Sequence, residues 1–326
     1  MPGLGDLRVS QAAIVAALSL VLFASFAVFL DGFLTFDNIV NLLRNVAVLG
    51  MLGIGMAAVV IGRGIDLSIV PIMVVTVAAL FVMAGAGVPV PLALGLAVVL
   101  ALAFGAANGV LIAYLEIPSL FTTLAWGMVA LGLGNYLVFD NFLVTMPAEL
   151  SGLRWLGTGQ LAGVPVSIFL FFALAVVVHL LLVRTHAGRS VFAIGDNVLA
   201  ARNAGVPIRP VIVAKYAGVA LLAFFAGLIM ASAVNEMNSR IPYSTLPYDV
   251  ILVVVIGGIG LSGGRGGIHN VVVGTLLIGN LSNGMTIMNL AHTDQKIVQA
   301  LILLIAIVVD GLLNPRDEQV SQQGDI

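Results

Sequence analysis

The sequence predicts an all-α integral membrane protein of about ten transmembrane helices. Three observations carry this. Of the 326 residues, 61% are hydrophobic and only 9% charged, whereas a soluble domain carries about 25% charged residues. The mean hydropathy is +1.17. The apolar residues also gather into runs of about 20, the length a helix rising about 1.5 Å per residue needs to cross a hydrocarbon core about 30 Å thick. So few long charged side chains cannot cover a wetted surface, and the solvent of most of the chain has to be lipid. A net charge of −2 speaks against a nucleic-acid partner. The lack of cysteine removes disulfides, thiolate metal sites and thiol nucleophiles together.

Taken in order, the first run covers about 12–30 and follows the lone basic residue Arg8. A signal peptide has an apolar region of about 7–15 residues and a small-residue cleavage site. This run is longer and ends in Leu-Asp-Gly-Phe-Leu, so it reads as a retained span. Runs at about 45–62, 67–86, 90–115 and 118–138 follow, then 167–184 and 211–234, and finally 248–263, 269–288 and 296–313. The second and eighth are short and glycine-rich at their ends. That suits re-entrant or broken helices, which are tolerated where protein or a water cavity satisfies the backbone. One segment is out of character: 184–210, between the sixth and seventh runs, is polar and holds four of the 13 Lys and Arg residues. The whole of 1–326 reads as one membrane domain with a polar tail at 315–326, expected to fray.

Positive charge sets the orientation. With the N-terminus inside and ten spans, the inner segments hold Arg8, Arg63, Arg184, Arg189, Arg202, Arg209, Lys215, Arg265 and Arg316. The outer segments hold Arg44, Arg154, Arg240 and Lys296. Both termini and the 184–215 segment are then cytoplasmic, and 139–166 and 235–249 face the other side. Val59-Val-Ile-Gly-Arg-Gly-Ile-Asp-Leu-Ser68 is echoed by Val254-Val-Ile-Gly-Gly-Ile-Gly-Leu-Ser262 with one residue deleted, either an internal repeat of the kind found in transporters or a chance match of apolar, glycine-rich sequence. The cluster Gly50, Gly53 and Gly55 and the pair Gly105 and Gly109 suit close helix packing in lipid.

Several chemistries lack their residues. No GxxxxGK[ST] loop is present, so ATP is not bound through that motif. The four histidines (His179, His186, His269, His292) are scattered, and no metal set is expected. Spans four, six, seven and nine contain no central acid. A charge there costs about 2.5–3.5 kcal/mol on insertion scales and marks ion coupling. No nucleophile, base and metal constellation suggests an enzyme.

Four ordered segments resemble the permease subunits of ribose-type ABC sugar importers, the ribose/xylose/galactose group. Gly64-Ile-Asp-Leu-Ser68 resembles that family's GGIDLSVG, and Ile117-Pro-Ser-Leu-Phe-Thr-Thr-Leu124 its IPPFIVTL. Gly188-Arg-Ser-Val-Phe-Ala-Ile-Gly-Asp-Asn-Val-Leu-Ala-Ala-Arg-Asn-Ala-Gly205 resembles GRxxYAIGGNxxAARxSGI. Ile256-Gly-Gly-Ile-Gly-Leu-Ser-Gly-Gly-Arg-Gly-Gly267 resembles VLGGTSLAGGxG, and Val309-Asp310 closes the last span. The chain departs at Arg63 and Val70, each standing where the family has glycine. Asp196 replaces the second glycine of AIGGN, Ala204 a serine, and Pro247-Tyr-Asp-Val a YELDAIA-like stretch.

The resemblance implies an ABC importer permease fold in a bacterial inner membrane. It also implies three protein partners: a cytoplasmic ATP-binding subunit that carries Mg-ATP, a periplasmic or extracellular solute-binding protein, and a second permease, identical or not. The chain itself would need no cofactor and bind no nucleic acid, and lipid surrounds it. By this likeness the 184–210 loop is the coupling segment, with Gly188, Arg189, Ile194, Gly195, Asp196, Asn197, Ala200, Ala201, Arg202 and Gly205 as its coupling residues. The residues themselves suggest a short helix over 197–203, with Asp196 or Asn197 as N-cap and Gly205 as stop.

A path for a neutral sugar needs amides, hydroxyls and an indole face. Asn108, Thr122, Thr123, Trp126, Asn135, Asn280, Ser282 and Asn283 qualify, and each could instead be interhelical glue. Asp66 is a gate or pin, pairing with Arg63, or an N-cap for the span beginning near Leu67. Arg265 is either an ATPase contact or an inner anchor. The expected function is ATP-driven, binding-protein-dependent uptake of a monosaccharide or sugar-like solute by alternating access, with no catalytic residue in this chain. A secondary ion-coupled transporter and a branched-chain amino-acid ABC permease are the alternatives.

Overall fold

The structure, a computed structural model, describes residues 11–313. The polar tail at 315–326, Arg8 and Arg316 lie outside the described residues.

The described chain forms thirteen α-helices and four short strands. The first five helices are α1 (Gln11–Phe29), α2 (Phe36–Ile61), α3 (Ile69–Gly85), α4 (Val90–Tyr114) and α5 (Ser119–Leu137). An irregular stretch follows, with β1 (Leu143–Thr145), a 3-10 turn at Ala148–Leu153, α6 (Arg154–Thr158), β2 (Gln160–Leu161) and β3 (Val164–Pro165). Next come α7 (Val166–Arg184), α8 (His186–Asp196), α9 (Val198–Asn203) and α10 (Ile208–Val234). The described residues end with β4 (Glu236–Asn238), a 3-10 turn at Ile241–Tyr243, α11 (Leu246–Ile256), α12 (Ile268–Ile287) and α13 (His292–Leu313).

Ten of these helices, α1–α5, α7 and α10–α13, lie on the ten apolar runs. Six of them (α1, α2, α4, α5, α7, α10) are long and apolar enough to cross a bilayer. Two departures from the sequence reading stand out. The second span is not short or broken: α2 is one continuous helix of 26 residues that starts nine residues earlier than its apolar run. Its first turns carry Asp37, Asn38 and Arg44, which hide them from a hydropathy reading. The eighth is short as expected. Helix α11 has 11 residues, about 16 Å, or half a hydrocarbon core. Its chain continues as irregular backbone packed within protein, with positive φ at Gly258, Gly263, Gly264 and Gly266.

Helices α2 and α3 form the centre. Fourteen of the 17 residues of α3 are buried, so it never meets lipid along most of its length. Helix α10 packs most extensively on α4 and also on α2 and α3, with α7, α11 and α12 against α2, α5 against α3, α1 on α12 and α13 on α11. The small pair in α4 does what its spacing suggests: a Cβ on Gly105 would lie 2.5 Å from the Tyr216 carbonyl oxygen, and one on Gly109 2.5 Å from the Val213 Cα. Only hydrogen at these positions lets the two backbones meet.

The two ends of the bundle differ. One carries α8, α9 and the loops after α2, α4 and α11. At the other, β1 pairs antiparallel with β4, Leu143 opposite Asn238 and Thr145 opposite Glu236. This ties the chain leaving α5 to the chain leaving α10.

Candidate functional site

The polar 184–210 segment folds as two helices in sequence. Thr185 caps α8, its side chain accepting a hydrogen bond from the Gly188 amide at 3.0 Å. Asn197 caps α9, its Oδ1 accepting from the Ala200 amide at 2.9 Å. Gly205 takes φ +79 just beyond α9, and the Val206 amide reaches back to the Ala201 carbonyl at 3.0 Å, the left-handed stop that glycine permits without steric cost. The short helix over 197–203 is therefore present; α8 in front of it was not anticipated.

This pair is two-faced. Gly188, Val191, Ile194, Gly195 and Ala201 are buried against the bundle. Arg189, Asp196, Asn197, Leu199, Ala200, Arg202 and Gly205 are exposed. Ten candidate coupling residues thus divide into an anchoring set (Gly188, Ile194, Gly195, Ala201) and a presented set (Arg189, Asp196, Asn197, Ala200, Arg202, Gly205). Leu199, 62% exposed, joins the presented face.

Within the anchoring set, Gly195 sits on the end of α2 and Gly188 on the Leu181 and Leu182 carbonyls of α7. A Cβ on Gly195 would overlap the Ile61 carbonyl oxygen, so glycine lets α8 lie directly on that helix terminus. The Gly264 amide donates to the same Ile61 carbonyl at 2.8 Å. Arg63, just past the helix, donates through Nε to the Ser262 carbonyl at 3.1 Å and through Nη2 to the Asp196 carbonyl at 3.4 Å. The two segments that echo each other in sequence are therefore in contact. Each closes a helix on an equivalent glycine, Gly62 after α2 and Gly257 after α11. Arg265 is exposed on the second of these loops.

The amides of Gly62, Arg63 and Gly64 still close on carbonyls of α2; beyond them the 62–68 segment has no regular ladder, and side chains from neighbouring helices bond it instead. The Ile65 amide donates to Ser119 Oγ at 3.2 Å and the Leu67 amide to Thr123 Oγ1 at 3.0 Å. Thr123 Oγ1 in turn reaches the carbonyls of Ser119 at 2.9 Å and Ile65 at 3.3 Å. Asp66, 1% exposed, accepts on Oδ1 from the Ser68 amide at 2.9 Å and from Ser68 Oγ at 2.5 Å. It thereby holds the turn that opens α3. Asn108 Nδ2 donates to Ser68 Oγ at 2.6 Å, and Lys215 Nζ donates to the Gly62 carbonyl at 2.9 Å.

The candidate path residues separate into groups. Asn108, Thr123 and Asp66 meet around 62–68. Close by, Thr122 bonds the carbonyls of Ile117 and Pro118 that precede α5, and Trp126 Nε1 donates to the Phe104 carbonyl at 3.0 Å. Away from them on α12, Asn280 Nδ2 donates to Ser19 Oγ of α1 at 3.0 Å. Asn283 and Asn38 of α2 exchange reciprocal amide bonds at 2.8 and 3.0 Å. Ser282 accepts from Gln299 Nε2 of α13 at 2.8 Å, and Asn135 is exposed on α5. Sequence reading missed Ser68, Ser119 and Lys215. The signal for Lys215 was present: it is one of two lysines in the chain and lies inside an apolar run. Among the described residues no group of three or more His, Asp or Glu is placed to hold a metal ion.

Comparison with known proteins agrees with this architecture. Residues 38–308 match the family described as branched-chain amino acid transport system permease components. The ribose import permease protein RbsC of Escherichia coli K12 is 31% identical over 299 residues, 90% of this chain and 91% of that protein. The L-arabinose transport system permease protein AraH of the same strain is 34% identical over 292 residues, 89% and 87% of the two chains. RbsC of Bacillus subtilis strain 168 is 34% identical over 275 residues, 84% of each. No solved structure matches. With its matched region covering all but the ends, and relatives aligned over nearly their full length, the chain belongs to this family of transport-system permease components.

Proposed function

We propose that this chain is the membrane-spanning subunit of an ATP-driven, binding-protein-dependent importer for a monosaccharide or sugar-like solute. Two permeases, identical or paired with a homologue, form the core. Both termini and the α8–α9 end lie in the cytoplasm, where an ATP-binding subunit grips the exposed face of α8 and α9. The opposite end, with the paired β1 and β4, receives the solute-loaded binding protein. Hydrolysis takes place on the ATP-binding subunit, and its closing motion enters the permease through α8 and α9.

The observation that carries this reading is the two-faced α8–α9 pair. It is a rigid, capped element seated by glycine on the end of a central helix, and it offers Arg189, Leu199 and Arg202 to a partner. A plain connecting loop needs no such seat. The family description names branched-chain amino acids, but the relatives aligned over nearly the full length are named for ribose and arabinose. The polar side chains that α12 offers at Asn280, Ser282 and Asn283 are uncharged amides and a hydroxyl, which suit a neutral polyhydroxylated solute better than a zwitterion.

The test is reconstitution in liposomes with an ATP-binding subunit and a solute-binding protein that co-purify with the chain, using labelled ribose, arabinose and leucine as probes. ATP-dependent sugar uptake is expected, and Arg202→Glu should abolish it without impairing membrane insertion. Uptake driven by an ion gradient without ATP, or unchanged uptake by the variant, would overturn the reading. Preferential leucine uptake would move the solute to the amino-acid class.

A further inference from the structure

Beneath α8 lies a cation that the presented face of the coupling helices does not use, Lys215. It sits in the second turn of α10, half-buried. The last carbonyls of a helix have no partner within it and carry the negative end of its dipole. At the end of α2 those carbonyls are shared out. Ile61 O accepts from the Gly264 amide, with Gly195 of α8 packed against it, while Gly62 O accepts from the Lys215 ammonium at 2.9 Å. A Cβ on Gly62 would lie 2.6 Å from Lys215 Nζ, so the glycine keeps that place open. Asp66, four residues beyond Gly62 and 1% exposed, adds a buried carboxyl group to the same segment. A helix terminus and a carboxylate together make a negative spot inside the bundle, and burying one without a cation is costly.

The same spot is a mechanical crossroads. Through Gly195 and Arg63 the end of α2 meets α8 and the 257–267 loop, and through Lys215 it meets α10. From the geometry we infer that Lys215 is a positioning residue for transport: it struts α10 against the end of α2, so that a displacement of α8 moves α2, α3 and α10 as one body. The inference rests on α8 and α9 being the coupling helices, and it adds the route by which their motion enters the bundle. It works through the bond to the Gly62 carbonyl and not merely by balancing Asp66.

The experiment uses the complete transporter in liposomes and reads three quantities: co-purification of the ATP-binding subunit, ATP hydrolysis, and solute moved per ATP. Lys215→Met keeps the side chain's length and removes its donor. Assembly and hydrolysis are expected to persist while solute per ATP falls about tenfold, as loss of a charged hydrogen bond implies. Lys215→Arg should restore most of it. The Lys215→Met/Asp66→Asn double variant, in which the pair is neutral, should stay uncoupled, and it serves as the assay protein if Lys215→Met alone does not accumulate. Native coupling in Lys215→Met, or its recovery in the double variant, would overturn the strut. Failure of the unmodified chain to assemble with the ATP-binding subunit would instead overturn the coupling assignment itself.

Discussion

Arg63 shows how a single position can serve two demands. Its φ is +60, a left-handed conformation that costs an L-residue about 1–2 kcal/mol. The family pattern has glycine here, the residue for which that conformation is free. In this chain the guanidinium offsets the strain by bridging to the carbonyls of Ser262 and Asp196. Arg63→Gly should therefore leave stability within about 2 kcal/mol of the parent, strain relief against lost hydrogen bonds, while lowering uptake because the link to α8 is gone. Thermal melting of the purified permease and transport in liposomes check both halves, and a large loss of melting temperature would show that the bridge is mainly structural. The sequence marked Arg63 as a departure and Asp66 as a cap or a pin. It could not reveal that 62–68 is held by side chains from α4, α5 and α10, because those contacts join residues up to 153 positions apart. Lys215 differs: its place inside an apolar run was visible in the sequence, and only its partner at Gly62 was not.

Among the elements, legibility followed the strength of the local signal. Helix α9 was readable because an asparagine cap and a glycine stop bracket it. Helix α8 was not, since Gly188 and Gly195 each disfavour a helix by about 1 kcal/mol. Tertiary contact overrides that preference, as no larger residue lets α8 approach Leu182 and Ile61. The length of α2 was underread because Asn38, which pairs with Asn283, and Arg44 interrupt its apolar pattern. If α9 must be rigid to transmit force, its cap matters. Asn197→Ala removes the bond to the Ala200 amide and should cost about 1 kcal/mol of local helix stability. Faster amide exchange over 198–203 is the direct readout, with reduced uptake following. Unchanged exchange would mean that packing of Ala201 alone holds the helix.

For the whole molecule, the absence of cysteine makes orientation directly measurable. Single cysteines at Ala204, exposed beyond α9, and at Tyr243, 73% exposed at the opposite end, can be probed in intact cells with a membrane-impermeant maleimide. The Tyr243→Cys variant should label and the Ala204→Cys variant should not; the reverse pattern would invert the topology on which the proposed function depends. Overall architecture was the most legible level, because it follows from hydropathy and helix length alone. The short β1–β4 pairing has a consequence of its own for how this bundle can breathe. By lacing the exits of α5 and α10 together it prevents those two helices from parting at that rim. On another flank, α11 and α13 are fastened by the Lys296–Asp249 bridge at 2.8 Å beside a cavity of about 310 Å3. Any widening of that end therefore has to come between helices that neither tie joins.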